Sequence, residues 1–453
     1  MKNKNTLLQN KKNCFKLWKV VEGVDMIQFF KKFLPVVFCA LFAAHFALAQ
    51  EVQPPKEWLE FVDGLKKEMI AKGISKKTIK KAYGTNTYYH PKPEVVAKDE
   101  KQTEFVLTTK DYLNAIVSEK RVQKARQHYQ DLKKEYDEIE KKYGVPINYL
   151  TAFWAVETNF GQNKGKYHLI DALTNSSYKN RRSAFFKNEL YNVLKIMDQF
   201  ELKHEKMLGS WAGAMGHFQF MPSTYSAYAV DYDGDGVADI WDSFDDAIAS
   251  AANYLHDLGF KKDEPWGTAV ELPWNFDYRL AGYKTRQSVS KWTSAGVRDK
   301  HGNKLKLNPD LNGSIIVTDG RKGQAYLVFS NFRRIMIWNR SENYALAIGV
   351  LADYIGSDAP YKPAVSNNFY ALTSEDILKI QKFANKVYRS KLKEDGKFGS
   401  KTKEAVVKIQ KAAKLPQDGY PSYQLLQKIE HYNPKVGFSV PVQPKKKSKM
   451  LQK

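Results

Sequence analysis

One carboxylate ends an otherwise apolar helix face in the middle of the chain. The sequence predicts a helix that starts near Pro146, where the missing N–H costs little, and that closes at Gly161. Its positions i, i+3, i+4 and i+7 share one face and are Leu150, Phe153, Trp154 and Glu157. A carboxyl group held against apolar side chains has a raised pKa and suits general acid catalysis near neutral pH. The alternative is a half-solvated, structural glutamate.

Residues 211–221 combine small side chains with aromatic, methionine and amide side chains. The small members would let a bulky ligand approach the backbone, and they are Ala212, Gly213, Ala214 and Gly216. The aromatic and amide members suit a groove that holds a polar ring by stacking and hydrogen bonds. Because this stretch lies between an acidic helix and an acidic loop, the sequence predicts a sugar-binding cleft.

Residues 231–242 fit a twelve-residue calcium loop almost position by position. Carboxylates occupy positions 1, 3, 5, 9 and 12 as Asp231, Asp233, Asp235, Asp239 and Asp242. Gly236 stands at the sharp turn, and Val237 would offer its backbone carbonyl. Aspartate at the last position reaches less far than glutamate, which leaves calcium binding there open. The alternative is an unoccupied acidic turn, against which the mutual repulsion of the carboxylates argues. A lone loop predicts one structural Ca²⁺ site.

The chain has 453 residues and a formal net charge of +23. Its basic residues are scattered, which is typical of a solvated surface that favours anionic polymers. The sequence contains no zinc pattern, no RNA-binding motif of arginine with aromatic residues and no recognition helix, so we expect no nucleic-acid partner.

Residues 1–49 are predicted to be an export signal. Lys31 and Lys32 precede an apolar run that ends in the cleavage-type sequence Ala47-Leu48-Ala49. The start is Met1 or Met26, and the alternative to cleavage is a retained segment that would associate with the membrane. Both cysteines lie in this segment, so the exported chain would need no disulfide and would depend on its core.

The remaining sequence divides by its pattern. Residues 57–145 are predicted to be helical, with one long surface helix over 119–142, and a small β insertion is predicted at about 261–333. The full set of predicted segments is a core over 50–358, a linker over 359–372, a small helical module over 373–432 and a basic disordered tail over 433–453.

The chain resembles the lytic murein transglycosylases of the membrane-bound lytic transglycosylase B family. The motifs that carry the resemblance are Val156–Gly161, Ala172-Leu173, Arg181-Arg182, Phe185-Phe186, Glu189-Leu190, Gly209-Ser210, Ala212–Gly216, Gln219–Tyr225, Ala229–Asp231, Asp235-Gly236, Trp241-Asp242, Ala252–Tyr254, Asn339–Ser341 and Tyr344. The resemblance implies a mainly α (α+β) fold with a lysozyme-like core and the small β insertion. It also implies one calcium loop beside the cleft.

The resemblance further implies that Glu157 is the single catalytic acid and base. It would protonate the bond between N-acetylmuramic acid and N-acetylglucosamine, and would then accept the proton of the C6 hydroxyl that closes a 1,6-anhydro ring. The implied substrate-binding residues are Ser210, Gln219, Tyr254, Trp338 and Tyr344. Trp338 replaces a tyrosine that is usual in the family, so no phenolic hydroxyl is expected there. Taken singly, each of these residues is more typical of a packing role than of a substrate-binding role.

The C-terminal module resembles a three-helix peptidoglycan-binding domain. Two Asp-Gly turns, at Asp395-Gly396 and Asp418-Gly419, each follow a helix that contains a glutamine and suggest an internal repeat. The alternative is an unrelated helical domain. We therefore expect an exported, monomeric enzyme of the Gram-negative periplasm or cell envelope that binds peptidoglycan. The competing hypotheses are a hydrolytic muramidase of the same fold, a non-catalytic wall-binding scaffold and a calcium-dependent adhesion module.

Overall fold

The computed structural model describes residues 54–84, 108–202, 204–364 and 372–438. The predicted export signal, the middle of the predicted linker and the tail beyond residue 438 lie outside these ranges. The chain divides into two units, residues 1–59 and 60–453, and the first is described only over residues 54–59. Within the described ranges, no helix combines the length and the apolar character needed to cross a bilayer.

The described chain is mainly helical, as predicted. The helices before the acidic loop are α1 (Lys56–Ala71), α2 (Lys76–Tyr83), α3 (Thr109–Ile116), α4 (Glu119–Glu135), α5 (Asp137–Tyr143), α6 (Ile147–Thr158), α7 (Leu169–Ser177), α8 (Ser183–Gln199) and α9 (Pro222–Tyr228). Those that follow the loop are α10 (Phe244–Asp257), α11 (Val289–Ser294), α12 (Ser330–Trp338), α13 (Glu342–Ile355), α14 (Ser374–Tyr388), α15 (Ser400–Ala412) and α16 (Tyr423–Glu430).

The prediction of one long surface helix over 119–142 was wrong. Tyr136, with φ −112° and ψ 26°, separates α4 from α5. Its hydroxyl donates a hydrogen bond to the Asp245 carboxylate at the start of α10. A buried tyrosine anchored to another helix thus outweighs the helical propensity of the charged residues around it.

Helix α6 lies at the centre of the core, where it packs against α4, α10 and α13. The sequence predicted one apolar face, but residues on all sides of α6 are buried, including Ile147, Ala152 and Ala155. A helix that is apolar all round needs neighbours on every side, and the surrounding helices supply them. Pro146 is the N-cap of α6, one position before the predicted first turn.

A small antiparallel sheet confirms the predicted β insertion. Its strands are β3 (Gly267–Glu271), β4 (Gln287–Ser288), β5 (Arg298–Asp299), β6 (Asn312–Val317) and β7 (Ala325–Val328), in the order β4-β6-β7-β3-β5. Leu327 pairs with Ile315 on one side and with Thr268 on the other. One face covers a core that contains Trp292 and Phe329. A second, two-stranded pair joins β1 (Tyr167–His168) and β2 (Leu208–Gly209).

Helices α14, α15 and α16 form the C-terminal module around Ile377, Ile380 and Ile409. A buried glutamine organises each Asp-Gly turn, as the predicted repeat requires. The Gln381 oxygen accepts from Gly396 N at 2.9 Å, and the Gln410 oxygen accepts from Gly419 N at 2.9 Å. Both bonds satisfy buried polar groups that would otherwise be costly.

The C-terminal module contacts the β insertion. Arg321 N donates to Asp418 Oδ2 at 2.8 Å. The neighbouring Gly320 has φ +72°, and a Cβ placed there would lie 2.7 Å from Tyr420 Cβ. Only glycine permits this backbone shape together with such a close approach. The module is therefore docked on the insertion.

Candidate active site

Glu157 lies in the last turn of α6, and the chain turns away immediately after it. Asn159, Phe160 and Gly161 all have left-handed φ values, of 51°, 62° and 77°. Gly161 N donates to Thr158 Oγ1 at 2.9 Å, which stabilises the turn. The turn ends the helix just past the carboxylate, so the Glu157 side chain remains half-buried at the edge of the core.

Two neutral donors hold one oxygen of Glu157. Trp338 Nε1 donates to Glu157 Oε1 at 3.1 Å, and the Tyr344 hydroxyl donates to the same oxygen. Trp338 ends α12 and Tyr344 lies in the first turn of α13, so the junction of these helices delivers both donors. Among the described residues, none donates to Oε2, which leaves that oxygen available to a ligand.

The surroundings of Glu157 raise its pKa to about 7. Burial is the largest cause, while the hydrogen bonds from Tyr344 and Trp338 act in the opposite direction. The direction is the one that the apolar helix face predicts. Burial and the Glu157 carboxylate also raise the pKa of Tyr344 well above its usual value, so its hydroxyl remains a donor.

Aromatic rings extend from Glu157 along one side of the site. The Tyr254 and Trp338 ring centroids are 5.1 Å apart, and those of Phe220 and Trp338 are 5.4 Å apart. Tyr228 stacks on Tyr254 at 4.5 Å. The structure thus brings Tyr254, Trp338 and Tyr344 together near Glu157, as expected of a cleft. Tyr228 was missed because nothing in its local sequence marks it as a partner of Tyr254.

Ser210 and Gln219 hold the loop that precedes α9. Ser210 Oγ accepts from Ala214 N at 2.9 Å. Gln219, with φ +52°, donates through Nε2 to the carbonyl oxygens of Lys164 (3.2 Å) and Gly216 (3.1 Å). Neither side chain forms a hydrogen bond with Glu157 in the described structure. The loop approaches the site through Phe220, near its end, whose ring contacts Trp338.

Two of the small residues of this loop, Gly213 and Gly216, pack closely against other parts of the protein. Gly216 has φ +68°, and a Cβ placed there would lie 2.4 Å from the carbonyl oxygen of Ile240. These residues were expected to let a ligand approach the backbone. The structure shows instead that a neighbouring backbone segment fills the space beside Gly216.

Two further residues around the Glu157 helix were missed, Tyr112 and His217. Burial and then the Glu157 charge raise the pKa of Tyr112, which lies on α3. Trp154, one turn before Glu157, donates through Nε1 to His217 Nδ1 at 3.0 Å. Burial lowers the pKa of His217 to about 4, so its imidazole is neutral and can accept this bond. Both contacts join segments distant in sequence, and no local pattern reveals them.

The acidic loop brings three carboxylates together. Oxygen atoms of Asp231, Asp233 and Asp246 lie within 4.8 Å of one another. Asp246 lies in the first turn of α10 and is fully buried. Its two oxygens accept from Tyr232 N at 2.7 Å and from Asp239 N at 2.8 Å. Burial raises the Asp246 pKa and these backbone donors oppose the rise. Hard oxygen ligands in such an arrangement fit a calcium ion.

The other predicted ligands have different partners. Asp242 Oδ2 pairs with Lys206 Nζ at 3.2 Å, and Asp239 Oδ1 accepts from Asp242 N at 2.9 Å. Asp235 Oδ1 accepts from Val237 N at 2.8 Å. Asp246 was missed because it lies four residues beyond the twelve-residue pattern. In the sequence, Ser243 followed three residues later by an acidic residue indicates the start of a helix rather than a metal site.

The sequence profile of the transglycosylase SLT domain matches residues 57–353. A peptidoglycan binding domain profile matches residues 373–429. The membrane-bound lytic murein transglycosylase B of Escherichia coli K12 is 34% identical over 220 residues, which are 47% of this chain and 58% of that protein. The chain thus spans a little over half the length of this curated relative.

Solved structures show the same fold. SltB3 from Pseudomonas aeruginosa, in complex with NAG-anhNAM-pentapeptide, is similar with a TM-score of 0.78 and 33% identity, over 83% of this chain and 100% of that chain. Escherichia coli Slt35, in complex with calcium, is similar with a TM-score of 0.57 and 26% identity, over 68% and 97% of the two chains. These matches confirm the predicted family, and the chain belongs to the lytic transglycosylases that carry the transglycosylase SLT domain.

Proposed function

We propose that this protein is a lytic transglycosylase that cleaves the β-1,4 bond between N-acetylmuramic acid and N-acetylglucosamine in peptidoglycan and leaves a 1,6-anhydro end. The observation that carries the proposal is Glu157, a carboxyl group with a pKa of about 7 and one oxygen open to a ligand. The relative SltB3 was crystallised with NAG-anhNAM-pentapeptide, a ligand that contains an anhydro sugar.

The first step uses protonated Glu157 as a general acid. At neutral pH, a carboxyl group with a pKa of about 7 is present in both protonation states. The proton on Oε2 passes to the glycosidic oxygen as the bond from C1 to that oxygen breaks. The donors Trp338 and Tyr344 stabilise the negative charge that forms on the carboxylate.

The second step uses the same group as a general base. The Glu157 carboxylate accepts the proton of the muramic C6 hydroxyl, whose oxygen forms a bond to C1 and closes the anhydro ring. Over both steps, one proton moves from the C6 hydroxyl to the leaving hydroxyl, and Glu157 is protonated again. Water is not consumed, so the reaction needs no second carboxylate, unlike hydrolysis by an acid and its partner.

The arrangement favours this reaction over a hydrolytic muramidase. Burial is the largest cause of the raised Glu157 pKa, and within the described residues the side chains that also act on it are Tyr344 and Trp338, neither of which is a carboxylate. A non-catalytic scaffold is disfavoured too, because it would gain nothing from a desolvated carboxyl group, which costs stability.

Mass spectrometry of digested, purified sacculi tests the reaction. Lytic cleavage gives muropeptides one water molecule lighter than those of hydrolysis, and the Glu157→Gln protein should release neither. Products with reducing ends would establish a muramidase. A folded wild-type protein that releases no muropeptide would support the scaffold.

The acidic loop is proposed to bind one structural Ca²⁺, with Asp231, Asp233 and Asp246 as its carboxylate ligands. The relative Slt35 was crystallised with calcium. The ion would neutralise neighbouring negative charges and tie the loop to α10. The remaining predicted ligands, Asp235, Val237, Asp239 and Asp242, stay candidates for the ion-bound state.

The C-terminal module is proposed to bind peptidoglycan, in line with the domain family it matches. A relative named as membrane-bound supports a location in the cell envelope, where the polymer is found. The periplasm of a Gram-negative cell, a monomeric state and the absence of a nucleic-acid partner remain part of this proposal.

A further inference from the structure

A groove separates the β insertion from the C-terminal module. This insertion–module groove is lined by residues 274–279, Arg321, Pro416 and Gln417 and has a volume of about 250 Å³. It is built from both regions, because Arg321 follows the insertion strand β6 and Pro416 precedes the Asp-Gly turn that docks on Gly320. A groove of this size takes part of a ligand rather than a whole polymer chain.

Trp274 is the most exposed large apolar side chain of the groove. Its side chain is 85% exposed, and it stacks on no other described aromatic ring. Indole is rarely left so open to water, because its burial is strongly favourable. A flat, exposed aromatic ring beside a groove suits stacking against the apolar face of a sugar ring.

Arg321 supplies an available positive charge to the same groove. Its backbone N–H is engaged with Asp418, but its exposed guanidinium forms no ion pair with a described carboxylate. By contrast, Arg279 is neutralised by Asp277, through bonds of 2.8 Å and 2.7 Å. Arg321 lines the groove together with Tyr278. A free guanidinium fits a carboxylate.

We propose that the insertion–module groove is a second peptidoglycan-binding site, in which Trp274 stacks on a sugar ring and Arg321 pairs with a carboxylate of the stem peptide. This inference rests on the proposed function, since peptidoglycan carries sugar rings and peptide carboxylates side by side. The site differs from the cleft at Glu157 because its residues come from the insertion and the C-terminal module.

Calorimetry on the full chain with Glu157→Gln tests the site, because this variant should bind peptidoglycan fragments without cleaving them. The probes are NAG-NAM-pentapeptide and the peptide-free NAG-NAM disaccharide, and we expect two binding events for the first probe. Adding Trp274→Ala should lower the affinity of the insertion–module groove about tenfold for both probes. Adding Arg321→Ala should weaken binding of NAG-NAM-pentapeptide about tenfold and leave the affinity for the disaccharide unchanged. The exposed side chains make misfolding of either variant unexpected.

The matched control is Lys284→Ala, which removes a positive charge that is 95% exposed and pairs with Glu404 across the same contact. This control should bind both probes like the parent. A single binding event, or unchanged binding by Trp274→Ala, overturns the second site. Cleavage by the wild-type chain, assayed in parallel, reports on the proposed function independently.

Gly320→Ala tests whether the groove needs both regions. The added Cβ would collide with Tyr420, displace the module and open the groove without touching a ligand. We expect the second event to weaken as much as in Trp274→Ala. Unchanged binding in Gly320→Ala would overturn the shared site and leave the module alone as the binding element.

Discussion

Glu157 and Asp246 are both carboxyl groups whose pKa is raised by burial, but their neighbours differ. Glu157 has two neutral donors on one oxygen and, among the residues that the structure describes, no donor on the other. Asp246 has backbone N–H donors on both oxygens and two more carboxylates within 4.8 Å. The first arrangement allows a proton to be exchanged with a ligand. The second concentrates negative charge and favours a cation.

Burial alone therefore does not define the role of an acid. A lone carboxyl group among neutral groups titrates near neutral pH and can give and take a proton. Clustered carboxylates repel each other until a cation joins them. We therefore expect loss of Glu157 to abolish chemistry and loss of Asp246 to affect stability.

Replacing Glu157 should have the largest effect. Glu157→Gln keeps the shape of the side chain but cannot exchange a proton, so muropeptide release should fall about 10²- to 10⁴-fold. Release is measured by chromatography of digested sacculi. Near-normal release by a folded Glu157→Gln protein would contradict the single-acid mechanism.

The same variant also tests the raised pKa through stability. Because the folded state raises the Glu157 pKa from 4.5 to about 7, ionisation destabilises the wild type as pH rises through this range. Glu157→Gln should thus be more stable than the wild type above pH 7, by about 1–3 kcal/mol, and equally stable below pH 4. Denaturant unfolding at both pH values measures the free energy of unfolding of the two proteins. A difference between them that does not change with pH would contradict the raised Glu157 pKa.

Calcium should raise the melting temperature of the wild type. At a hundredfold excess over its Kd, an ion that binds only the folded state adds about 3 kcal/mol, which corresponds to several degrees. Asp246→Asn should abolish this rise in melting temperature. Asp242→Asn should retain most of it, because the wild-type Asp242 carboxylate pairs with Lys206. If the chelator-treated and calcium-loaded wild types melt together, the loop binds no calcium.

Removing a donor from Glu157 should shift the pH dependence of cleavage. The wild-type rate should fall above about pH 7, where the acid loses its proton. Tyr344→Phe removes a hydrogen bond that lowers the Glu157 pKa, so the decline should start at higher pH and the rate should fall about tenfold. If the rates of Tyr344→Phe and the wild type decline at the same pH, Tyr344 only packs against the site.

Shortening the chain should have the smallest effect on chemistry. A chain that ends at residue 358 should bind sacculi more weakly at all salt concentrations, because it lacks the proposed binding module. A chain that ends at residue 433 should lose binding only at low salt. The basic residues that it lacks attract the anionic wall by charge, and salt screens this attraction. Co-sedimentation with sacculi measures both. Equal sedimentation of the full and 358-residue chains at high salt would contradict a wall-binding role.

Local sequence patterns predicted the elements and the acid of the site well. The helix that carries Glu157, the small sheet and the three C-terminal helices follow from hydrophobic periodicity and turn residues. The donors to Glu157 could not be derived in this way. Trp338 was expected to offer no phenolic hydroxyl, and its indole N–H donates to the carboxylate instead. That contact depends on how α12 and α13 pack against α6.

By itself, the sequence determined the family, the element types and the presence of an acidic loop, because these depend on residues close together along the chain. Only the tertiary structure decided which groups meet: Tyr344 and Trp338 at Glu157, Asp246 at Asp231 and Asp233, and the module on Gly320. Such contacts join residues far apart in sequence, and packing between elements sets their distances. The chemistry of each carboxylate is therefore decided by its neighbours in space.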